Sequence, residues 1–268
     1  MRLLNFVSNN LNGPIDIRYG TLPDVELNRN KIFSNLDLDQ NNLIKLNVQN
    51  KSEVLFLINE NRDEWQKHMG VWQRGNGLKC DAIITNIKNL ILECNPGDCG
   101  IYTLFHNNYN LMAMVHSGRQ GSIEKILKKT IEKMAKYVKV DIKDFTKQLC
   151  VDMSPAIKGK NYIIDYLILD RFEITNWMDF LGCESLDLID YPNSSKVKLV
   201  FSEVNKKIKF DFIGFNKKLL LNLGVDETNI KISEICTYEH KDFPSYYKYL
   251  KGLDNDGRFM VLSSMIDK

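Results

Sequence analysis

The sequence predicts an α/β (α+β) fold with mixed sheet layers and flanking helices. Short apolar clusters follow one another through residues 82–115, separated by turn-forming segments, which is typical of consecutive strands. Beyond Gly121 the apolar residues instead recur at helical spacing, with Lys and Glu between them. No linker, low-complexity block or repeat divides the 268 residues, so we expect a single domain over 1–268.

The N-terminal quarter predicts less regular structure. The first fifty residues are rich in Asn and Asp, and their apolar clusters predict brief strands at Ile15–Ile17, Leu36–Leu38 and Leu43–Leu46. From Glu53 onward, Val54, Leu57 and Trp65 share one helical face, and Gly70 is suited to a helix C-terminus. These positions predict a helix over 52–69.

The remaining elements follow from the same two periodicities. Four strands in a row are predicted at Ala82–Ile84, Leu90–Leu92, Ile101–Phe105 and Leu111–Val115. An amphipathic helix is predicted from Gly121 to about Lys139 and another over 211–222. Further strands are predicted at Tyr162–Leu169, Val197–Phe201 and Ile230–Cys236.

Composition argues against several classes of partner and location. The formal net charge is +2, from 36 basic and 34 acidic side chains, so no overall field favours nucleic acid or an anionic membrane. No apolar run approaches the ~18 residues that span a bilayer. The N-terminal segment lacks the core of a signal peptide, so we expect a cytoplasmic protein whose six cysteines are free thiols.

Two loops carry the chemistry-bearing side chains. Asn95-Pro-Gly-Asp-Cys-Gly100 lies between predicted strands, and His116-Ser-Gly-Arg-Gln-Gly121 lies between a strand and a helix. If Cys99 and His116 meet, a thiol and an imidazole can bind a metal together or form a nucleophile–base pair. The alternative is structural, with Cys99 a small buried residue and His116 a hydrogen-bonded histidine at a strand end.

Several segments together resemble the laccase-domain family, also called polyphenol oxidase or purine nucleoside phosphorylase-like proteins. The resemblance rests on Cys80-Asp-Ala-Ile-Ile-Thr-Asn86, Pro96-Gly-Asp-Cys99 and Met114-Val-His-Ser-Gly-Arg-Gln-Gly121. Outside this centre, the agreement continues through Arg18-Tyr-Gly20, Glu60-Asn-Arg62, Ser154-Pro-Ala-Ile157, Gly224-Val225, Cys236-Thr237, Phe243-Pro-Ser-Tyr246 and Gly257-Arg258.

The resemblance implies a zinc (or copper) site of two histidines and one cysteine in a pocket for purine nucleosides. The implied activities are phosphorolysis of adenosine-type nucleosides and adenosine deamination, with nucleoside and phosphate as small-molecule partners. By position, Cys99, His116 and Asp98 match catalytic residues of the family. Of these, Cys99 and His116 match its metal ligands, and Asp98 matches the acidic residue beside the cysteine. Arg62, Gly118 and Gly121 match positions expected to bind substrate or phosphate.

The chain departs from the family pattern at two places. The family's first histidine has no counterpart: it falls on Gly75 in one alignment register and on Asn61 in another, and His68 is the nearest substitute. The family's Trp-Arg pair is replaced by Arg119-Gln120. A zinc or copper ion would therefore lack one of three protein donors, so a non-catalytic homologue and a metal-independent Cys-His hydrolase or deamidase stay as alternatives.

Overall fold

The computed structural model describes residues 2–16, 18–72, 76–165, 200–202 and 207–267. Its two larger sheets face each other, and helices cover their outer faces. The predicted mixed sheets with flanking helices are thereby confirmed. Within this part of the chain, no helix is long and apolar enough to cross a membrane.

The strands are numbered in chain order. The first seven are β1 (Arg2–Val7), β2 (Leu43–Asn47), β3 (Val54–Leu57), β4 (Leu78–Lys79), β5 (Ala82–Thr85), β6 (Ile91–Cys94) and β7 (Gly100–His106). They are followed by β8 (Leu111–Ser117), β9 (Cys150–Met153), β10 (Ile163–Asp165), β11 (Val200–Ser202), β12 (Lys207–Lys209), β13 (Ile230–Ile232) and β14 (Val261–Ile266).

The helices are α1 (Leu22–Asn35), α2 (Arg62–Trp65), α3 (Arg119–Ile123), α4 (Ile126–Tyr137), α5 (Ile142–Thr146), α6 (Phe212–Asn222) and α7 (Tyr246–Leu250). One sheet has the strand order β1-β14-β6-β2-β4, and the facing sheet has the order β13-β9-β7-β8-β5-β3. A small third sheet has the order β10-β12-β11. Both parallel and antiparallel pairs occur in the two larger sheets.

Three apolar layers hold this arrangement together. Ile83, Met112 and Met114 point between the two large sheets, where they pack with Leu92 and Val261. Side chains one position away along the same strands point to the opposite face, as the period of two in a strand requires. There they pack against α4, α5 and α6. A third apolar layer lies between α1 and the outer face of the other sheet.

The four consecutive strands predicted between residues 82 and 115 are confirmed as β5, β6, β7 and β8. The helix over 211–222 is confirmed as α6. The helix from Gly121 is present but interrupted, since Lys125 adopts a left-handed conformation with φ 55° and separates α3 from α4. The strand at Leu43–Leu46 is confirmed as β2.

Three N-terminal predictions were wrong, and one N-terminal helix was not predicted. Residues 22–35 form a helix that the sequence analysis missed, because its buried face includes Arg29 together with Val25, Ile32 and Phe33. A cation in the inward stripe hides the hydrophobic pattern that predicts a helix. The predicted helix over 52–69 is instead strand β3 and the short helix α2, with one 3-10 turn before α2 and one after it. Ile15–Ile17 and Leu36–Leu38 form no strand among their described residues.

The later strand predictions are met in part. Ile230–Ile232 is a strand, but the extension to Cys236 is not. In the predicted strand Tyr162–Leu169, residues 163–165 form β10 and 166–169 lie outside the described residues. In Val197–Phe201, residues 200 and 201 belong to β11 and 197–199 lie outside the described residues.

Candidate functional site

Cys99 and His116 are brought together by the hairpin of β7 and β8. The two strands pair antiparallel, with Gly100 opposite Ser117 and Ile101 opposite His116. Cys99 therefore lies beside the end of β8, and a Cβ at Gly118 would overlap its Sγ. The absence of a side chain at Gly118 is what allows the loop to approach the thiol. The Cys99 thiol is a hydrogen-bonding partner of the His116 imidazole.

Asp81 fixes the imidazole from the other side. Its Oδ1 lies 3.7 Å from His116 Nδ1. The same oxygen accepts hydrogen bonds from the backbone N–H groups of Gln49 (3.2 Å) and Asn50 (2.7 Å), and Oδ2 accepts one from Lys51 (2.8 Å). This carboxylate therefore joins the loop between β2 and β3 to the histidine. Asp81 lies within the motif Cys80–Asn86, but the sequence pattern alone indicates no role for it.

The pKa values of His116 and Asp81 depend on each other's charge. Burial lowers the pKa of His116, but the neighbouring Cys99 and Asp81 raise it, and the result is a pKa of about 9. Burial alone raises the pKa of Asp81, yet His116 and the backbone donors lower it below its usual value. These neighbours therefore favour the imidazolium form of His116, which is held against the Asp81 carboxylate.

Asp98 anchors the cysteine loop to the C-terminal part of the chain. Its Oδ1 accepts a hydrogen bond from Thr237 Oγ1 (2.6 Å), and its Oδ2 accepts one from the Tyr247 N–H (2.7 Å). Burial raises the pKa of Asp98 despite these donors. Because both oxygens are bonded within the protein, the contacts of Asp98 are those of a residue that positions Cys99.

These residues line a cavity of about 640 Å³. Rings from three separate segments form much of its wall, contributed by Tyr162, Phe212, Tyr246 and Tyr247. Polar and charged side chains face the same space, among them Asn50, Asn95, Asp98, Cys99, His116, Arg119 and Arg258. A cavity with an aromatic wall and a few convergent polar groups is typical of a small-molecule site.

The remaining site residues predicted from the sequence do not all lie near Cys99 and His116. Gly118 contacts Cys99, and a Cβ added at Gly121 would lie 3.2 Å from the His116 carbonyl oxygen, closer than ordinary van der Waals contact. Arg62 is not brought to this cavity, since its guanidinium lies over the Trp65 ring at 6.0 Å on α2. His68 lines a different surface depression, where its Nδ1 is 3.4 Å from the Asn76 carbonyl oxygen.

Comparison with known proteins identifies the family. The model of a family described as multi-copper polyphenol oxidoreductase laccase matches residues 20–265. The chain belongs to this family. Among solved structures, the fold is similar to YlmD from Geobacillus stearothermophilus, with a TM-score of 0.68, 19% identity and coverage of 99% of this chain and 91% of that one. The fold is also similar to YfiH of Bacillus licheniformis, with a TM-score of 0.69, 17% identity and coverage of 91% of this chain and 81% of that one.

Relatives of known sequence carry nucleoside-related names. A purine nucleoside phosphorylase of Campylobacter jejuni subsp. jejuni is 30% identical over 170 residues, which are 63% of this chain and 61% of that protein. One of Clostridium acetobutylicum is 38% identical over 169 residues, with coverage of 63% and 60%. An adenosine deaminase of an unknown prokaryotic organism is 23% identical over 165 residues, with coverage of 61% and 55%. The matched region spans about three fifths of the curated phosphorylases' length.

The family description implies bound metal, but the donor set of this chain does not fit a three-ligand site. Among the described residues, no cluster of three or more His, Cys, Asp or Glu side chains is arranged to hold a metal ion. Cys99 and His116 supply two donors, whereas catalytic zinc typically has three protein ligands. Asp81 contacts His116 and the loop backbone rather than completing the set.

Of the two positions considered for the missing third donor, the structure describes only one. Asn61, one of the two positions considered, uses its side chain to bind the Ile58 N–H, the Phe56 carbonyl and Trp65 Nε1. Gly75, the other, lies outside the described residues. Asn50 lines the cavity with Cys99 and His116, and its backbone N–H donates to the Asp81 oxygen that faces His116. A neutral amide is a poor ligand for zinc or copper.

Replacing Asn50 by histidine is therefore expected to strengthen zinc binding by about tenfold or more, because it adds an imidazole donor beside the existing two. Histidine is suited to the backbone there, since Asn50 has φ 56° and histidine is among the residues enriched in that region. Competition with a chromogenic chelator measures the affinity, with Asn50→Gln as the control. Equal zinc affinity in Asn50→His and the unaltered protein would contradict this placement.

Proposed function

We propose that this protein processes purine nucleosides in the cavity around Cys99 and His116, with phosphorolysis of adenosine-type nucleosides as the principal reaction. The observation that carries the proposal is the convergence of Cys99, His116 and Asp81 at one end of an aromatic-walled cavity of about 640 Å³. The names of the relatives support the same substrate class.

The cavity offers groups suited to each part of such a substrate. Aromatic faces stack on bases, and each such contact stabilises binding by about 1–3 kcal/mol. Tyr162 and Tyr247 stand edge to face with ring centroids 5.6 Å apart, which forms a rigid corner of this wall. The purine therefore belongs against these rings, with the ribose towards Cys99 and His116.

His116 is suited to act as the general acid. In phosphorolysis a phosphate oxygen forms a bond to the ribose C1′ while the bond from C1′ to the purine nitrogen breaks, and the electron pair stays on the purine. A proton delivered to the departing purine makes this separation easier. His116 carries such a proton at neutral pH, and Asp81 and Cys99 hold the imidazole in place.

Incubation of the purified chain with adenosine or inosine, with and without inorganic phosphate, tests this function. We expect slow release of free base and ribose 1-phosphate that depends on phosphate, because the site lacks a third metal donor. Conversion of adenosine to inosine without phosphate would assign deamination instead. If the protein neither forms these products nor binds a nucleoside at millimolar concentration, the proposal is wrong.

One observation favours a second candidate, a metal-independent thiol hydrolase or deamidase. Asp81, His116 and Cys99 follow one another in the order of orienting carboxylate, imidazole and nucleophilic sulfur. Such an enzyme forms a covalent acyl intermediate on Cys99. Intact-mass analysis after incubation with amide substrates distinguishes the two, because phosphorolysis leaves no adduct on the thiol.

A further inference from the structure

Among the described residues, two arginine side chains line the cavity, and they differ in whether an acidic side chain balances their charge. Arg258 is already paired: its Nη1 donates to Asp256 Oδ1 at 2.5 Å and to the Gly257 carbonyl oxygen at 2.6 Å. Its guanidinium also lies over the Tyr246 ring at 4.9 Å. The positive charge of Arg258 is therefore already balanced by groups of the protein.

Arg119 has no comparable partner. Its Nη1 donates to the Tyr162 hydroxyl at 3.3 Å, and no carboxylate lies within ion-pair distance of it in the described part of the chain. Its Nε is buried and has no hydrogen-bond partner among the same residues. A buried donor without an acceptor is unfavourable, and the cost is larger when the group is charged.

Of the neighbouring residues Arg119 and Gln120, only Arg119 lines the cavity. Gln120 turns along the helix, where its Nε2 donates to Glu124 Oε1 at 2.9 Å. Arg119 is the member of the pair that lines the cavity, three residues after His116. A planar guanidinium with a free edge matches the spacing of two oxygens on a phosphate group.

We propose that Arg119 binds a phosphate oxyanion in the cavity, with Tyr162 positioning its guanidinium. The role of this subsite rests on the proposed function, because in phosphorolysis it would hold the attacking phosphate near the ribose. The oxyanion can come from free inorganic phosphate or from a nucleoside 5′-monophosphate, since both present the same oxygens. The arginine predicted from sequence to bind phosphate, Arg62, is not brought to the cavity.

Isothermal titration of inorganic phosphate and of adenosine 5′-monophosphate into the full chain, without turnover, tests the subsite. In Arg119→Gln we expect the affinity for phosphate to fall about 10- to 100-fold, since hydrogen bonds to a charged group are lost. Arg119→Lys keeps the charge without the fork and should lose less. Arg2→Gln, at an exposed position on β1, is the matched control and should bind as the unaltered protein does.

The outcomes separate the subsite from the activity. Arg119-dependent binding of phosphate, with neither cleavage nor binding of a nucleoside, supports the subsite and refutes the proposed function. Nucleoside cleavage whose KM for phosphate is the same in Arg119→Gln and the unaltered protein refutes the subsite alone. If Arg119→Gln fails to fold, an unchanged affinity in Arg119→Lys refutes it too. If the affinity for neither ligand depends on Arg119, the proposal is overturned. If only the affinity for the monophosphate depends on Arg119, the oxyanion belongs to a nucleotide.

Discussion

Replacing Cys99 or His116 by alanine is expected to reduce nucleoside cleavage by about 100-fold or more, the usual contribution of a positioned acid–base group. Removing His116 takes away the proton donor, and removing Cys99 takes away a side chain that holds it protonated. We expect the loss to appear mainly in kcat, because the aromatic wall that contacts the base stays in place. Initial rates over a range of nucleoside concentrations measure both parameters.

A matched control separates chemistry from folding. His240 is more exposed than the buried His116 and packs beside the Phe243 ring, with centroids 5.5 Å apart, outside the cavity. His240→Ala should therefore keep the rate of the unaltered protein. Thermal unfolding of all three variants checks that each is folded at the assay temperature. Brisk cleavage in folded Cys99→Ala would show that the reaction takes place elsewhere.

The sequence predicts the centre of the fold and half of the candidate site. The hairpin of β7 and β8 has long apolar runs with a clear turn, so its strands and the adjacency of Cys99 and His116 follow from local pattern. Asn50 and Arg119 do not follow from it. Which loop reaches a site is decided by the pairing of distant strands, such as β3 with β5, and short apolar runs do not specify that pairing.

The same reason explains the missed helix α1. Its inward face contains Arg29, and a cation is acceptable there only because Glu93, on β6, supplies a buried counter-charge. Nothing near Arg29 in the sequence indicates this partner. A buried ion pair between distant segments therefore conceals an element from pattern analysis while joining it to the sheet in the folded chain.

Breaking this pair is expected to destabilise the fold strongly. Arg29 Nη1 and Nη2 bind the two oxygens of Glu93 at 2.9 and 2.6 Å, and both side chains are almost fully buried. In Glu93→Gln the guanidinium keeps its charge but loses its counter-charge. We expect a loss of about 3–5 kcal/mol in the free energy of unfolding at pH 7. Urea denaturation followed by circular dichroism measures it.

An exposed pair provides the comparison. Lys88 and Asp267 are joined at 2.9 Å, but their side chains are 53% and 63% exposed. Asp267→Asn should cost less than about 1 kcal/mol, as exposed pairs usually do. The double variant Arg29→Met with Glu93→Leu should recover much of the stability lost in Glu93→Gln, because the Arg29 guanidinium then no longer lies buried without its counter-charge. Equal losses in Glu93→Gln and Asp267→Asn would show that the buried pair does not stabilise α1 on the sheet.

The effect of Glu93→Gln should also depend on pH in a defined direction. Burial alone raises the pKa of Glu93, but Arg29 and Lys45 more than offset this, so its pKa in the folded protein lies below its usual value. A carboxyl group with a lowered pKa stabilises the fold above its unfolded pKa, about 4.3, and this contribution disappears as the pH falls through the folded pKa. The stability difference between the unaltered protein and Glu93→Gln should therefore be constant from pH 6 to 7 and shrink below about pH 4. A difference that grows on acidification would contradict the assignment of the charge to Glu93.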